Sequence, residues 1–190
     1  MRSALLLGLA ALLTLPASAD PRLPAEARRQ IGVTVVYDPA YEQLAYPGGD
    51  VPQDRGVCTD VVIRALRRLR FDLQKEVHED MAAHFSAYPK NWGLKRPDKN
   101  IDHRRVPNLR TFFARKGWSL PVTHTPADYL PGDLVTCTVG SNLPHIFIVS
   151  DRKSANGEPL IIHTIGAGTQ EEPGLFHFPI TGHYRPKLAH

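Results

Sequence analysis

The chain has 190 residues, of which 42% are hydrophobic and 22% are charged. This composition is typical of a soluble globular domain and excludes a chain that is disordered throughout. Lys and Arg number 23 against 19 Asp and Glu, for a formal charge of +4, and so small an excess does not indicate a nucleic-acid partner.

The N-terminus has the three parts of a secretory signal peptide. Arg2 precedes the apolar run "ALLLGLAALLTL", and the small residues 17–19 follow it as a cleavage site. The apolar run is too short to span a bilayer, and no similar run follows. The sequence therefore predicts a signal peptide over residues 1–19 and a single domain over 20–190. It also predicts secretion across the inner membrane, with the periplasm as location and no membrane anchor after cleavage.

After the cleavage site, "PRLPAEARRQIG" predicts a short helix that ends at Gly32, with Ala25, Ala27 and Ile31 on its apolar side. The β-branched residues 33–37 predict a strand. Residues 38–56 are rich in Pro, Gly and Asp, which indicates a long irregular loop. Loops of this length in a compact domain are more often functional than not.

A helix is predicted to begin near Cys58. Apolar residues recur at helical spacing, and they are Val61, Val62, Ala65, Leu66 and Leu69. The arginines between them, 64, 67, 68 and 70, are expected to form a solvated face. Asp60 suits the positive end of the helix dipole.

Further helices are predicted over residues 74–86 and from Pro107 to Gly117. After the last of these helices, short β-rich runs predict strands over residues 133–139, 145–151 and 160–166. One or two more strands are predicted within residues 175–185. Three short consecutive strands separated by turn residues favour antiparallel pairing. The predicted fold class is α+β, with N-terminal helices packed on an antiparallel sheet of about four to six strands.

The two cysteines, Cys58 and Cys137, raise the question of thiol chemistry. A cysteine at a helix start has a lowered pKa through the helix dipole and the free backbone N–H groups, and a nearby imidazole lowers it further. His145 opens one predicted strand and His163 lies on the next, so antiparallel pairing can bring them side by side. One imidazole would act as base toward the thiol, and the other would hold its tautomer.

The segment from "YLPGDLVTCTV" to "PLIIHTIG" resembles the NlpC-type cysteine peptidases, papain relatives of bacterial cell walls. The resemblance covers roughly residues 50–166. It implies Cys58 as nucleophile, His145 as base and His163 as orienting residue. It also implies an NlpC/papain-like fold and a peptidase or amidase acting on peptidoglycan, with no cofactor. "YPGGDVPQDRGVCTDVVIRA" and "NIDHRRVPNL" are similar to an exported bacterial family known as domain of unknown function number twelve-eighty-seven.

Substrate-binding candidates are less defined by their pattern. Tyr46 is a candidate oxyanion donor, and Asp60 lies beside the thiol in sequence. In "NIDHRR", the four residues Asp102, His103, Arg104 and Arg105 are candidates for lining a cleft and binding substrate carboxylates, because arginine makes bidentate contacts with them. An ordinary polar loop ahead of Pro107 is the alternative for this stretch.

Three functions therefore remain open. The leading hypothesis is a periplasmic thiol hydrolase that cleaves an amide bond of peptidoglycan stem peptides through an acyl-enzyme intermediate. The second is a non-catalytic module that binds cell-wall fragments or a protein, with a structural Cys58–Cys137 disulfide. The third is a zinc-dependent hydrolase with Cys58, His145 and His163 as ligands.

Overall fold

The structure is a computed structural model, and it describes residues 19–188. The predicted signal peptide falls on residues outside this range, apart from Ala19. Four α-helices occur in the described part of the chain. They are α1 (Leu23–Arg28), α2 (Cys58–Arg68), α3 (Leu73–His84) and α4 (Val106–Arg115). Within the described range, no helix combines the length and apolar character needed to cross a bilayer.

Within residues 19–188, eight strands form two sheets. They are β1 (Val36–Tyr37), β2 (Arg55–Gly56), β3 (Ser119–Leu120), β4 (Leu134–Val139), β5 (Leu143–Lys153), β6 (Pro159–Thr164), β7 (Thr169–Glu172) and β8 (Ile180–Tyr184). The first two pair in parallel as a small ribbon. The others form a six-stranded sheet in the order β3-β8-β4-β5-β6-β7, antiparallel at each pairing. The α+β class and the antiparallel meander predicted from the sequence are confirmed.

Apolar side chains cover both faces of the large sheet, because successive side chains of a strand point to opposite faces. Ile146 and Ile148 of β5 belong to the cluster that fills the space between the sheet and the helices. Phe147 and Val149 of the same strand belong to a second cluster, which Leu175 of the segment after β7 helps to cover. The sheet is therefore a buried middle layer, and the two faces of β5 contact different cores.

The start of α2 is held by a side chain of its own first turn. The N–H of Val57 donates to Oδ2 of Asp60 over 2.7 Å, which satisfies a backbone donor that has no partner within the helix. Gly56 leaves room for this contact, since a Cβ at that position would lie 2.9 Å from the same oxygen. This local arrangement fixes where the helix begins and hence where Cys58 lies.

Three details differ from the sequence predictions. The buried residues of α1 are Leu23, Pro24 and Ala27. Ala25 and Ile31, expected on the apolar side, are exposed, Ile31 because the helix ends before it. Arg64, expected on a solvated face, is buried and donates to Thr34 and to the carbonyl oxygens of residues 51, 52 and 55. The polar strand β7 was not predicted, and it forms the edge of the sheet beside β6.

Candidate active site

Cys58 is the first residue of α2 and is only 4% exposed. Burial raises the pKa of its thiol to about 12, and the nearby N–H groups of Ile146 and Thr59, which act in the opposite direction, offset this only in part. The expected lowering of the pKa by the helix start is therefore outweighed by desolvation. At neutral pH the sulfur carries its proton, so the resting site holds a thiol and not a thiolate.

Because the sulfur of Cys58 is protonated at neutral pH, we expect the native protein to be alkylated slowly. A thiol with a pKa of about 12 has roughly a thousandfold less thiolate at neutral pH than an exposed cysteine, and the thiolate is the reactive form. We expect iodoacetamide to label native Cys58 slowly at pH 7 and about tenfold faster for each pH unit above it, as measured by intact mass. The urea-unfolded chain, the control, should label at the rate of free cysteine. Rapid labelling of the native protein at pH 7 would contradict the assignment.

The two candidate histidines meet as predicted from strand pairing. Nε2 of His145 on β5 lies 2.8 Å from Nδ1 of His163 on β6, and the rings cross at 73°. Nε2 of His163 lies 2.9 Å from Oε1 of Glu172 on β7. Three neighbouring strands thus contribute one side chain each to a chain of two hydrogen bonds.

The carboxylate sets the direction of both hydrogen bonds. A carboxylate oxygen accepts, so His163 donates from Nε2, and an imidazole that carries one proton then offers the lone pair of Nδ1. His145 then donates from Nε2, which leaves the lone pair on its own Nδ1. Burial and the neighbouring His163 lower the pKa of His145 to about 3, so this imidazole is neutral at pH 7. Glu172 therefore holds His145 in the tautomer that a general base requires at Nδ1.

The Cys58 thiol and the His145 ring both lie beside the first half of β5. Among the described residues, no hydrogen bond joins them. Ile146, whose N–H lies near the sulfur, shares the helix-side core with Cys58. His145 is the cross-strand partner of Cys137 on the neighbouring strand β4. Cys137 belongs to the core on the face of the sheet away from Cys58. The structure thus brings His145 and His163 together and places Cys58 beside the residue that follows His145.

Both cysteines are free, buried thiols. The Cys58–Cys137 disulfide considered from the sequence is not formed, because the two residues belong to cores on opposite faces of the sheet. Within residues 19–188, no group of three or more His, Cys, Asp or Glu side chains is arranged to hold a metal ion. The zinc hypothesis therefore has no ligand set in this region.

A cavity of about 340 Å³ opens beside Cys58. Tyr37 of β1 and Pro144 of β5 form part of its wall, and Val106 at the start of α4 another part. The remaining lining residues are Pro39, Val57, Asn91, Trp92, Ile101, Arg104, Arg105 and Pro107. The loop between α3 and α4 therefore supplies much of the surface that a molecule reaching Cys58 would contact.

The candidate substrate-binding residues have different surroundings. Asp60 and Arg104 form a buried ion pair, with Nε and Nη2 of Arg104 donating to the carboxylate over 3.0 and 2.9 Å. Tyr46 packs edge-on against His78, with ring centroids 5.2 Å apart. His103 is 2% exposed, and burial lowers its pKa to about 3. Of these four, Arg104 lines the cavity, and so does Arg105, the other arginine of "NIDHRR".

Two groups of functional interest were missed. Glu172 lies in the polar stretch "TQEE", and pairing of that stretch with the strand of His163 was the signal that could have revealed it. Trp92 lies in a loop without any periodic pattern, and its ring stacks with Arg105, whose guanidinium carbon is 4.1 Å from the ring centroid. No sequence pattern links Trp92 with Arg105, and only the fold brings these two residues together.

Comparison with known proteins identifies a family for this chain. Residues 24–186 match the family described as "Domain of unknown function (DUF1287)". The chain is also similar to the Escherichia coli (strain K12) protein "Uncharacterized protein YijF", with 60% identity over 159 residues, which is 84% of this chain and 78% of that protein. Cys58, His145, His163 and Glu172 all lie within the matched residues. The chain belongs to the DUF1287 family.

Proposed function

We propose that this protein is an exported thiol hydrolase that cleaves an amide bond in peptidoglycan stem peptides. The observation that carries the proposal is the placement of Cys58 at the start of α2, on the wall of a cavity and next to the strand of the His145–His163–Glu172 chain. A nucleophile, a base in a fixed tautomer and a group that orients the base are the parts of a thiol-dependent acyl transfer. The sequence resemblance to NlpC-type peptidases suggests the substrate.

In the proposed mechanism, Nδ1 of His145 accepts the thiol proton as the sulfur of Cys58 attacks the amide carbonyl carbon. The C–N bond breaks, and His145 returns the proton to the leaving amine. Water then attacks the thioester with His145 as base, which releases the acid and restores the thiol. The N–H groups of Cys58 and Thr59, in the first turn of α2, lack partners within the helix and can stabilise the oxyanion.

This mechanism requires a rearrangement when the substrate binds. The resting thiol is protonated, and no hydrogen bond joins it to His145 among the described residues. Hydrogen bonds between catalytic groups are often absent in the free enzyme and form in the complex with substrate. His145 shares a face of the sheet with its cross-strand partner Cys137, and Cys58 lies on the other face. We propose that occupation of the cavity next to Pro144 twists the start of β5, which turns the His145 ring around the strand to the sulfur.

The test is digestion of purified peptidoglycan by wild type and by Cys58→Ala, with mass analysis of the released fragments. Wild type should release fragments cut at one kind of amide bond, and Cys58→Ala should release none. Cys137→Ala is the matched control, since it removes the other buried thiol and leaves Cys58 in place, and it should give the wild-type fragments. Identical fragments from wild type and Cys58→Ala would rule out the hydrolase.

A second candidate function is a binding module for cell-wall fragments without catalysis. The raised pKa of Cys58 and the missing thiol–imidazole hydrogen bond favour it. Co-sedimentation with insoluble peptidoglycan separates the two. A binding module sediments with the polymer and releases nothing, whereas a hydrolase releases fragments that depend on Cys58.

Export is part of the proposal and rests on the sequence of residues 1–19. We propose that these residues direct the chain across the inner membrane and that the periplasm is its location. Cell fractionation of the full chain and of a chain that starts at Asp20 tests this. The full chain should be recovered from the periplasm with its N-terminus at Asp20, and the shortened chain from the cytoplasm.

A further inference from the structure

We propose that Arg105 binds a carboxylate of the substrate in the cavity beside Cys58, so that the preferred substrate is a peptide with a free carboxylate near the bond that is cut. That the bound molecule is a substrate rests on the proposed function. The carboxylate-binding site itself does not require Cys58 to be catalytic. It assigns the ligand chemistry to Arg105 and not to its neighbour Arg104.

The two arginines that line the cavity differ in their free donors. Each of the three side-chain nitrogens of Arg104 already donates, to the two oxygens of Asp60 and to the carbonyl oxygens of Ala40 and Asp38. Arg105 makes one side-chain hydrogen bond among the described residues, from Nη1 to Oδ1 of Asp102 over 3.2 Å. Its Nε and Nη2 are therefore available, and these two atoms form one edge of the fork that binds a carboxylate bidentately.

The guanidinium is also held in place before any ligand arrives. It lies over the ring of Trp92, and stacking on an aromatic face restricts the plane of the fork. Its side chain is only 18% exposed, so the two free donors have lost part of their water. A partly buried cation with unused donors gains more from an incoming anion than an exposed one does.

The surroundings are favourable for negative charge. Asp and Glu are absent from the residues that line the cavity. Asp102, the partner of Arg105, is buried and also accepts from the N–H of Asp98 over 2.5 Å and from Nδ2 of Asn108 over 3.5 Å, so its charge is shared among three donors. The N-terminus of the ten-residue helix α4 opens into the cavity at Val106 and Pro107, and its dipole adds positive potential there.

Binding is measured by calorimetry on the full mature chain carrying Cys58→Ala, which removes turnover from the measurement. Three N-acetylated tripeptides serve as probes: an amide with a central glutamate, the same amide with glutamine, and the glutamine peptide as a free acid. Their carboxylates are, in order, on the side chain, absent, and at the C-terminus. We expect at least one of the two acidic peptides to bind about tenfold or more tightly than the neutral one, because charge-assisted bidentate hydrogen bonds are among the strong ones.

Adding Arg105→Gln should abolish this preference, while Arg105→Lys, which keeps the charge but not the fork, should retain part of it. The matched control is Lys153→Gln, which removes one positive charge at the far end of β5 and should leave the preference unchanged. Thermal unfolding checks that each variant is folded, and the lysine variant keeps the test valid if the glutamine variant is not. Equal affinity for the three peptides, binding of none of them, or a preference that survives Arg105→Gln would overturn the inference. A hydrolase that fails the Cys58 test can still pass this one, so the two failures are distinguishable.

Discussion

For the proposed hydrolase, we expect His145→Ala to lower kcat/KM for amide hydrolysis by about 10²–10⁴-fold, the usual contribution of a general base. The alanine variant loses the group that accepts the thiol proton, and the protonated thiol of Cys58 is a weak nucleophile. The measurement is the initial rate of fragment release at several substrate concentrations. His84→Ala, at the exposed end of α3, is the control and should retain the wild-type rate.

Glu172→Gln tests the direction of the hydrogen-bond chain separately from its presence. A glutamine amide can donate to Nε2 of His163, which reverses both hydrogen bonds and leaves Nδ1 of His145 protonated. We expect a loss of activity that is smaller than that of His145→Ala, with little change in unfolding temperature because the Glu172 side chain is 43% exposed. Wild-type activity in Glu172→Gln would contradict the requirement for a carboxylate at this position, since the glutamine oxygen could then accept from Nε2 of His163 equally well.

Arg104→Ala is expected to destabilise the protein by about 3–5 kcal/mol, because it leaves the buried carboxylate of Asp60 without its countercharge. The Asp60 and Arg104 side chains are 3% and 2% exposed, and their bidentate contact joins the start of α2 to the loop before α4. The free energy of unfolding from urea titration measures the effect. Asp60→Ala with Arg104→Ala should be less destabilised than the sum of the two single variants, since the residues interact directly.

The control for this measurement is Arg68→Ala. Arg68 lies on the same helix and its side chain is 57% exposed, with a distant ion pair to Glu26 at 3.7 Å. Exposed ion pairs contribute about 0–1 kcal/mol, so the variant should be close to wild type. A similar small effect for Arg104→Ala would contradict the structural role of the pair and would return Arg104 to the candidates for substrate binding.

The parts of the fold that could be predicted are those with a local signal. The apolar spacing of Val61, Val62, Ala65 and Leu66 predicted α2, and the β-rich runs after residue 133 predicted β4, β5 and β6 in antiparallel order. Adjacent strands were enough to predict that His145 and His163 meet. In each case the information lies within a few residues of sequence or in one strand pairing.

Other features depend on contacts that sequence spacing does not encode. The partners of Arg64 are mostly carbonyl oxygens of the preceding loop, which have no side-chain signature. β7 is an edge strand and needs no apolar face. Its polar residues therefore give no strand pattern in the sequence, and the position of Glu172 beside His163 could not be predicted. The pKa of Cys58 was expected to be low from its helix position, but burial, which only the tertiary structure determines, raises it.

The buried, protonated sulfur of Cys58 has a consequence for the chemical stability of the protein in the oxidising compartment that we propose for it. Oxidants and small disulfides attack exposed thiolates, and a shielded thiol reacts with them slowly. A chain with two unpaired cysteines is therefore protected from sulfenic acid formation and from mixed disulfides in an oxidising compartment.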